Sequence, residues 1–389
     1  MTIFQYDELD DGIAQAVRER CAAFDDAYWS ECERTKTYPD AFFDAMAQGG
    51  WLGLTIPEEY GGGGQGTRQG AVMLHEIGAS GAAEVGCVVT HNPMFAAEPI
   101  IKFGSEELKQ QFLPALASGE IKIAFSVTEP NAGLDTSKIA TSARAVDGGY
   151  LLTGQKIYTT QADVADVALV IARTSSADSS SRFSGLSLFL VDYKSAQGIE
   201  IRSIEKHGMN AIQTCEVFFD DAFVPSARLI GEEGQGFRYL LDALNRERLV
   251  MSAEAIGVGR AALARAVTFA KDRVVFDRPI GANQAISHPL AEAATRLDAA
   301  WAYLMAAMSA YDNGVALRTE GNEAYFLAVD AGWQACDAAV QTLGGMGYAR
   351  EGQVERYARE MRVLRLSPIT PHMMLNHIAQ AGLGLPRSY

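Results

Sequence analysis

The spacing of apolar side chains changes character twice along the chain. Up to about Glu120 they recur every three to four positions with short breaks, as in Ala41–Gly49 and Glu106–Ser118, the period of helices packed on one face. From about Ile121 to Ile230 the runs shorten. VALVIAR, LSLFLVDY, IEIRSIE and CEVFFDD are β-branched and aromatic, each bounded by Gly, Asp or Ser. Asp147-Gly148-Gly149, between alternating runs, predicts a hairpin, and the Ser-rich stretch Ser175–Ser184 a mobile loop between two strands. From Gly236 the helical period returns, in Ala-rich segments at Asn245–Ala270, Pro289–Asp312 and Ala324–Leu343. The pattern predicts a mainly α, α+β chain in three parts: helical over 1–120, a small β domain over 121–232, and helical over 233–389.

Composition narrows the function classes. With 389 residues, 48% of them hydrophobic, the chain can bury a large core. A net charge of −15 argues against nucleic acid or an anionic membrane as partner. MTIFQYDELDDG has neither the basic start nor the apolar run of a signal peptide. No stretch of about 18 uninterrupted apolar residues appears, so a cytoplasmic location is expected. Cys21, Cys32, Cys87, Cys215 and Cys336 are odd in number and scattered, without a CxxC pair. They read as reduced thiols, and no metal site is expected. Tyr60–Gly66 (YGGGGQG) reads as a flexible loop, because no GK[ST] follows and no strand precedes it.

Three blocks carry chemistry: FSVTEPNAGLD (Phe125–Asp135), GQKIYTTQADVADVALV (Gly154–Val170) and LGGMGY (Leu343–Tyr348). The first, with Thr128, Glu129, Pro130 and Gly133, suits a loop approached closely by a flat, phosphorylated ligand. In this order and spacing the chain resembles the acyl-CoA dehydrogenases, flavoproteins that desaturate acyl-CoA thioesters between the α and β carbons. The resemblance covers nearly the whole chain. It implies an N-terminal helical domain, a middle β-barrel-like domain, a C-terminal four-helix bundle, FAD as cofactor, and a homotetramer or dimer.

The resemblance also implies a set of site residues. Phe125, Val127, Thr128 and Gly133 would lie along the flavin ring, while Tyr158 and Thr160 occupy the family's Trp-x-Thr. Arg273 and Phe276 match its Arg-x-x-Phe, placing a cation at the pyrophosphate. Gln284, Gln341, Gly344 and Gly345 would come from a neighbouring subunit, and Thr370 and His372 complete the cofactor set. Leu134 stands where the family often has Ser, and Asp277 replaces a common Gly. The plainer alternatives are a helix-terminating turn at Gly344-Gly345 and a surface ion pair for Arg273.

Desaturation needs a base on one face of the α-carbon and a hydride acceptor on the other. Many family members place the base near the C-terminus, in a YEGTxxI-like segment. The matching segment here, RLSPITPHMM (Arg365–Met374), has no carboxylate, and Pro368 stands at the glutamate position. Either this loop is re-registered or Ile369 supplies the backbone donor that Pro368 lacks. A second branch, including the isovaleryl- and long-chain enzymes, puts the base on a helix in an ERLV-like segment. Here the chain reads LNRERLVMSAEAIGVG over Leu244–Gly259. At roughly 100° per residue, Leu240, Leu244, Met251, Ala255 and Val258 form one apolar stripe, with Glu247 and Arg248 on its two sides. Glu247 is therefore the expected general base, followed by β-hydride transfer to flavin N5 and passage of electrons to an electron-transfer flavoprotein. Glu254 is the rival base, an interior ion pair is the structural alternative for Glu247, and Glu129 reads as structural. Asn245 and Arg248 match substrate-binding positions. Two other functions fit the missing loop glutamate: an oxygen-using oxidase or monooxygenase on the same fold, and a partner subunit of a hetero-oligomeric dehydrogenase.

Overall fold

The computed structural model describes residues 6–176 and 181–387, and of Asn245 the backbone alone. The chain opens with six helices: α1 (Glu8–Cys21), α2 (Asp26–Thr35), α3 (Asp40–Gln48), α4 (Thr67–Ile77), α5 (Ala83–Phe103) and α6 (Glu106–Ser118). Local chemistry sets several ends. The side chains of Asp7, Asp25 and Ser105 each accept from a backbone N–H in the first turn of the helix they precede, and α6 stops at Gly119, φ +75°. The stretch Thr67–Phe103 has a window of mean hydropathy 1.3, but 83% of that window is buried inside the protein, so it is a core helix pair. The chain breaks between α4 and α5, where Gly81 takes φ +99°.

The turn at Tyr60–Gly66 differs from the flexible loop that its composition suggests. Gly63, Gly64 and Gln65 donate to the carbonyls of Gly53, Ile56 and Leu54 at 2.9 Å each. A Cβ at Gly62 would stand 2.0 Å from the Ile56 oxygen, so glycine here serves close approach rather than mobility.

Eight strands follow: β1 (Ile123–Ser126), β2 (Ser142–Val146), β3 (Gly149–Thr160), β4 (Val167–Arg173), β5 (Leu186–Asp192), β6 (Ile199–Ser203), β7 (Thr214–Pro225) and β8 (Leu229–Ile230). They form one sheet in the order β6-β7-β3-β2-β4-β5-β8, with β1 parallel beside β4. Gly148 (φ +77°) turns the β2–β3 hairpin. The expected Ser175–Ser184 loop lies in part outside the described residues. β4 is apolar without alternation because both of its faces are covered. Val167, Leu169 and Ile171 pack with Ile100, Phe112 and Leu116 of α5 and α6, while Ala168 and Val170 pack with Val217 and Phe219 of β7.

The C-terminal part is built on α7 (Gly236–Asp272), followed by a two-strand arm, β9 (Val274–Val275) and β10 (Arg278–Pro279). Then come α8 (Gln284–Asp312), α9 (Glu320–Leu343), α10 (Gly345–Tyr348), α11 (Val354–Leu364) and α12 (Pro371–His377). The single apolar stripe expected on α7 understates its burial. Leu249, Val250, Ala253 and Ile256, off that stripe, are also buried, because α4, α5, α8, α9 and α11 all pack on this helix. Gly257 and Gly259 permit the closest approaches. A Cβ on them would lie 2.4 Å from the His75 oxygen of α4 and 2.9 Å from the Gly332 Cα of α9.

Candidate active site

The loop after β1 is held by a buried ion pair. Lys156 on β3, wholly buried, donates from Nζ to the Val127 carbonyl at 3.0 Å and to Glu129 Oε1 at 2.9 Å. Glu129 also accepts from the backbone N–H of Ala140 (2.7 Å) and Thr141 (2.9 Å); burial would raise its carboxyl, but the Lys156 charge and these bonds outweigh that and lower it. Ile157 N–H donates to the Thr128 carbonyl at 2.9 Å, so Val127 and Thr128 lie directly beside β3. Between the pairs Lys156–Val217 and Thr159–Cys215 the register of β3 on β7 shifts. In that bulge Tyr158 takes φ +60° and the residue is 62% exposed. Thr160 follows, paired with Thr214. Phe125, Val127, Thr128, Tyr158 and Thr160 thus form one patch, with Gly133 exposed at the loop's far turn.

That patch connects to α7 through α5. Phe125 meets Phe95 edge-on at 4.7 Å between centroids, and Phe95 meets His91 at 5.8 Å. His91 in turn faces two carboxylates of α7: Nδ1 is 2.8 Å from Glu254 Oε1, and Nε2 is 3.9 Å from Glu247 Oε1. The Glu247 side chain is 11% exposed, and its enclosed Oε2 has no hydrogen-bond partner. Burial pushes its carboxyl up to about 7, against the pull of His91 and Arg248. Burial, Glu254 and Glu360 push the carboxyl of Glu84 of α5 well above its ordinary range. Arg248 is largely buried beside Glu247. The side chain of Asn245 lies outside the described residues.

His91, Phe95, Glu84 and Lys156 are not legible as functional in the sequence. A lone His or Glu within an apolar helix gives no sign of what faces it. Tyr325 on α9 belongs with them. Its hydroxyl donates to the carbonyls of Leu364 (2.8 Å) and Ser367 (2.6 Å), pinning the segment that carries Pro368. Thr370 begins α12 and His372 is exposed in its first turn. Arg273 and Gln284 flank the exposed arm, on which Phe276 is 94% exposed at φ +53°. Gln341 lies in the last turn of α9, which Gly344 ends at φ +59°, and nothing approaches within 4 Å of where a Cβ on Gly344 or Gly345 would stand. These glycines are both a helix terminus and an open stretch of backbone.

Models of the acyl-CoA dehydrogenase N-terminal, middle and C-terminal domains match residues 7–120, 124–222 and 234–383. This chain belongs to the acyl-CoA dehydrogenase family. It is 34% identical to acyl-CoA dehydrogenase FadE12 of Mycobacterium tuberculosis over 100% of this chain and 99% of that one. It is 38% identical to an acyl-CoA dehydrogenase of Bacillus subtilis over 86% of this chain and 87% of that one. It superposes on the glutaryl-coenzyme A dehydrogenase–glutaryl-CoA complex with a TM-score of 0.93 at 27% identity, covering 99% of this chain and 98% of that one. As a member of this family the chain is an oxidoreductase and its cofactor is FAD. The residues present fit that group: an exposed aromatic ring at Tyr158 beside the Val127–Thr128 backbone, an exposed cation at Arg273, and open backbone at Gly344-Gly345.

Proposed function

We propose that this acyl-CoA dehydrogenase belongs to the helix-glutamate branch, with Glu247 removing the α-proton of an acyl-CoA thioester. One observation carries the reading. Glu247 is a buried carboxylate with a free oxygen and an affinity for protons near neutrality, joined to the Phe125 loop through His91 and Phe95. The segment Arg365–Met374 offers no carboxylate to compete with it. FAD, when bound, supplies the acceptor for the β-hydride. The protein's own work is positional. Lys156 and Glu129 fix the loop that would hold the flavin, Tyr158 would give it an aromatic surface, Arg273 and Phe276 would hold the adenosine diphosphate half, and Arg248 and Asn245 would take part in binding the acyl-CoA. Electrons would pass to an electron-transfer flavoprotein. The exposed arm at Phe276 and the exposed turn at Gly344 suit a homo-oligomer, dimer or tetramer, of a cytoplasmic protein.

Anaerobic stopped-flow mixing with acyl-CoAs from C4 to C16, branched and aromatic ones included, tests the reading. Bleaching of the flavin followed by slow reoxidation in air is the expected result. Fast reoxidation would identify an oxygen-using enzyme. No bleaching by any thioester, from a chain that binds little flavin alone, would identify a partner subunit.

A further inference from the structure

His91 sits between two carboxylates that leave the same side of α7. Glu247 and Glu254 are seven residues apart, close to two full turns, and the imidazole spans the gap between them. The His91 side chain is only 6% exposed and that of Glu254 is fully buried. Glu254 engages Nδ1 at 2.8 Å, which makes that nitrogen a donor and directs Nε2 toward Glu247 at 3.9 Å.

We propose that His91, held by Glu254, is a positioning residue that works by charge: as an imidazolium between the two carboxylates, it favours the ionised form of Glu247, the form that accepts the α-proton. The inference rests on the reading of Glu247 as the base. A carboxylate as deeply buried as Glu247 would otherwise hold its proton, and a proton-bearing base cannot take another. Burial works against charge on His91 as well, but Glu254 and Glu247 outweigh it and raise its affinity for a proton.

The other charged groups around this point fit the arrangement. On α7 itself, Arg248 adds a second positive charge beside Glu247. On α5, burial first and then the acidic neighbours Glu254 and Glu360 push the Glu84 carboxyl well above its ordinary range, which favours its uncharged form. Glu360 of α11 is engaged by Arg356 at 2.9 Å. Tyr325 of α9 turns its hydroxyl to the Leu364 and Ser367 carbonyls, and burial, followed by Glu84, Glu254 and Glu247, raises it far above the usual range. His377 of α12 is exposed, with Nδ1 2.9 Å from the Asn322 amide nitrogen, and desolvation and the charge of Arg248 lower its affinity for a proton. Elsewhere on α7, Arg246 pairs with Glu98 of α5, and Arg260 is engaged by His75 of α4 and Asp298 of α8.

The test is the pH profile of anaerobic flavin reduction in the FAD-loaded enzyme, with the fastest of butyryl-, octanoyl- and palmitoyl-CoA as probe. In His91→Asn the acid limb should move up by about 1–3 pH units while the alkaline plateau rate is kept, since an opposite charge at this range shifts a carboxyl by that amount. An unshifted limb in flavin-loaded His91→Asn, with the rate lowered equally at every pH, would show a structural role and overturn the inference. Glu247→Gln, run in parallel, separates the two readings. If it is inactive throughout and the His91 limb is unshifted, only the inference falls; if it reduces flavin normally, both fall. Should His91→Asn fail to fold, the ¹⁵N-histidine spectrum of the unmutated holoenzyme decides. The ring signal displaced by Glu254→Gln should be that of an imidazolium at pH 7, and a neutral ring there would overturn the inference.

Discussion

The ammonium of Lys156 lies 2.9 Å from Glu129 Oε1, with the lysine wholly buried and the glutamate nearly so. Through this pair β3 grips the loop that carries Val127 and Thr128. Lys156→Met should leave Glu129 buried without its cation and destabilise the protein by about 3–5 kcal/mol, the usual cost of removing one partner of a buried pair. Urea denaturation and the flavin-to-protein absorbance ratio would both register it. Unchanged flavin retention would show that the loop is held by its backbone bonds alone.

Glu247→Gln keeps the shape of the side chain and removes its ability to take a proton. Flavin reduction should slow by about 10²–10⁴-fold, with FAD and acyl-CoA still bound. Glu254→Gln should keep the alkaline plateau rate. The reverse order of the two variants in stopped-flow traces would move the base to Glu254.

The wild-type enzyme should lose kcat/KM as pH falls through about 7, where Glu247 takes up its proton. The stability contribution runs the other way. Because the folded carboxyl binds its proton more tightly than the unfolded one, this group favours the folded state at acid pH, and that contribution is lost as pH rises from the unfolded value to about 7. A rate flat between pH 5 and 8 would exclude Glu247 as the base.

Phe276 is 94% exposed on its arm in the single chain. If a second copy covers it, burial contributes about 1.5–3 kcal/mol per ring. Phe276→Ala should weaken the oligomer in light scattering, and Arg273→Ala should release FAD on ultrafiltration. A flavin-loaded wild-type monomer would remove the basis for both.

Much of the fold is readable from one dimension. The expected strands at VALVIAR and LSLFLVDY coincide with β4 and β5 to within a residue, and Glu106–Ser118 is α6. Local periodicity and turn residues suffice there, because each face of these elements meets one kind of neighbour. Where five helices surround α7, the stripe that can be read accounts for only one side of it, and the same burial raises the Glu247 carboxyl. Glycine-rich Tyr60–Gly66 misleads for a related reason. Composition reports conformational freedom, while the close approach to Ile56 that requires glycine is a contact between segments.

By itself the sequence determined the order of helical and β parts, the three blocks that carry the family resemblance, and the absence of a carboxylate around Pro368. These are local matters of residue type and spacing. Only the tertiary structure decided what Glu247 faces. His91 lies 156 positions earlier in the chain than Glu247, and their meeting depends on how α5 crosses α7. A side chain's ionisation follows from burial and from charges within a few ångströms, and neither is a property of the neighbouring letters.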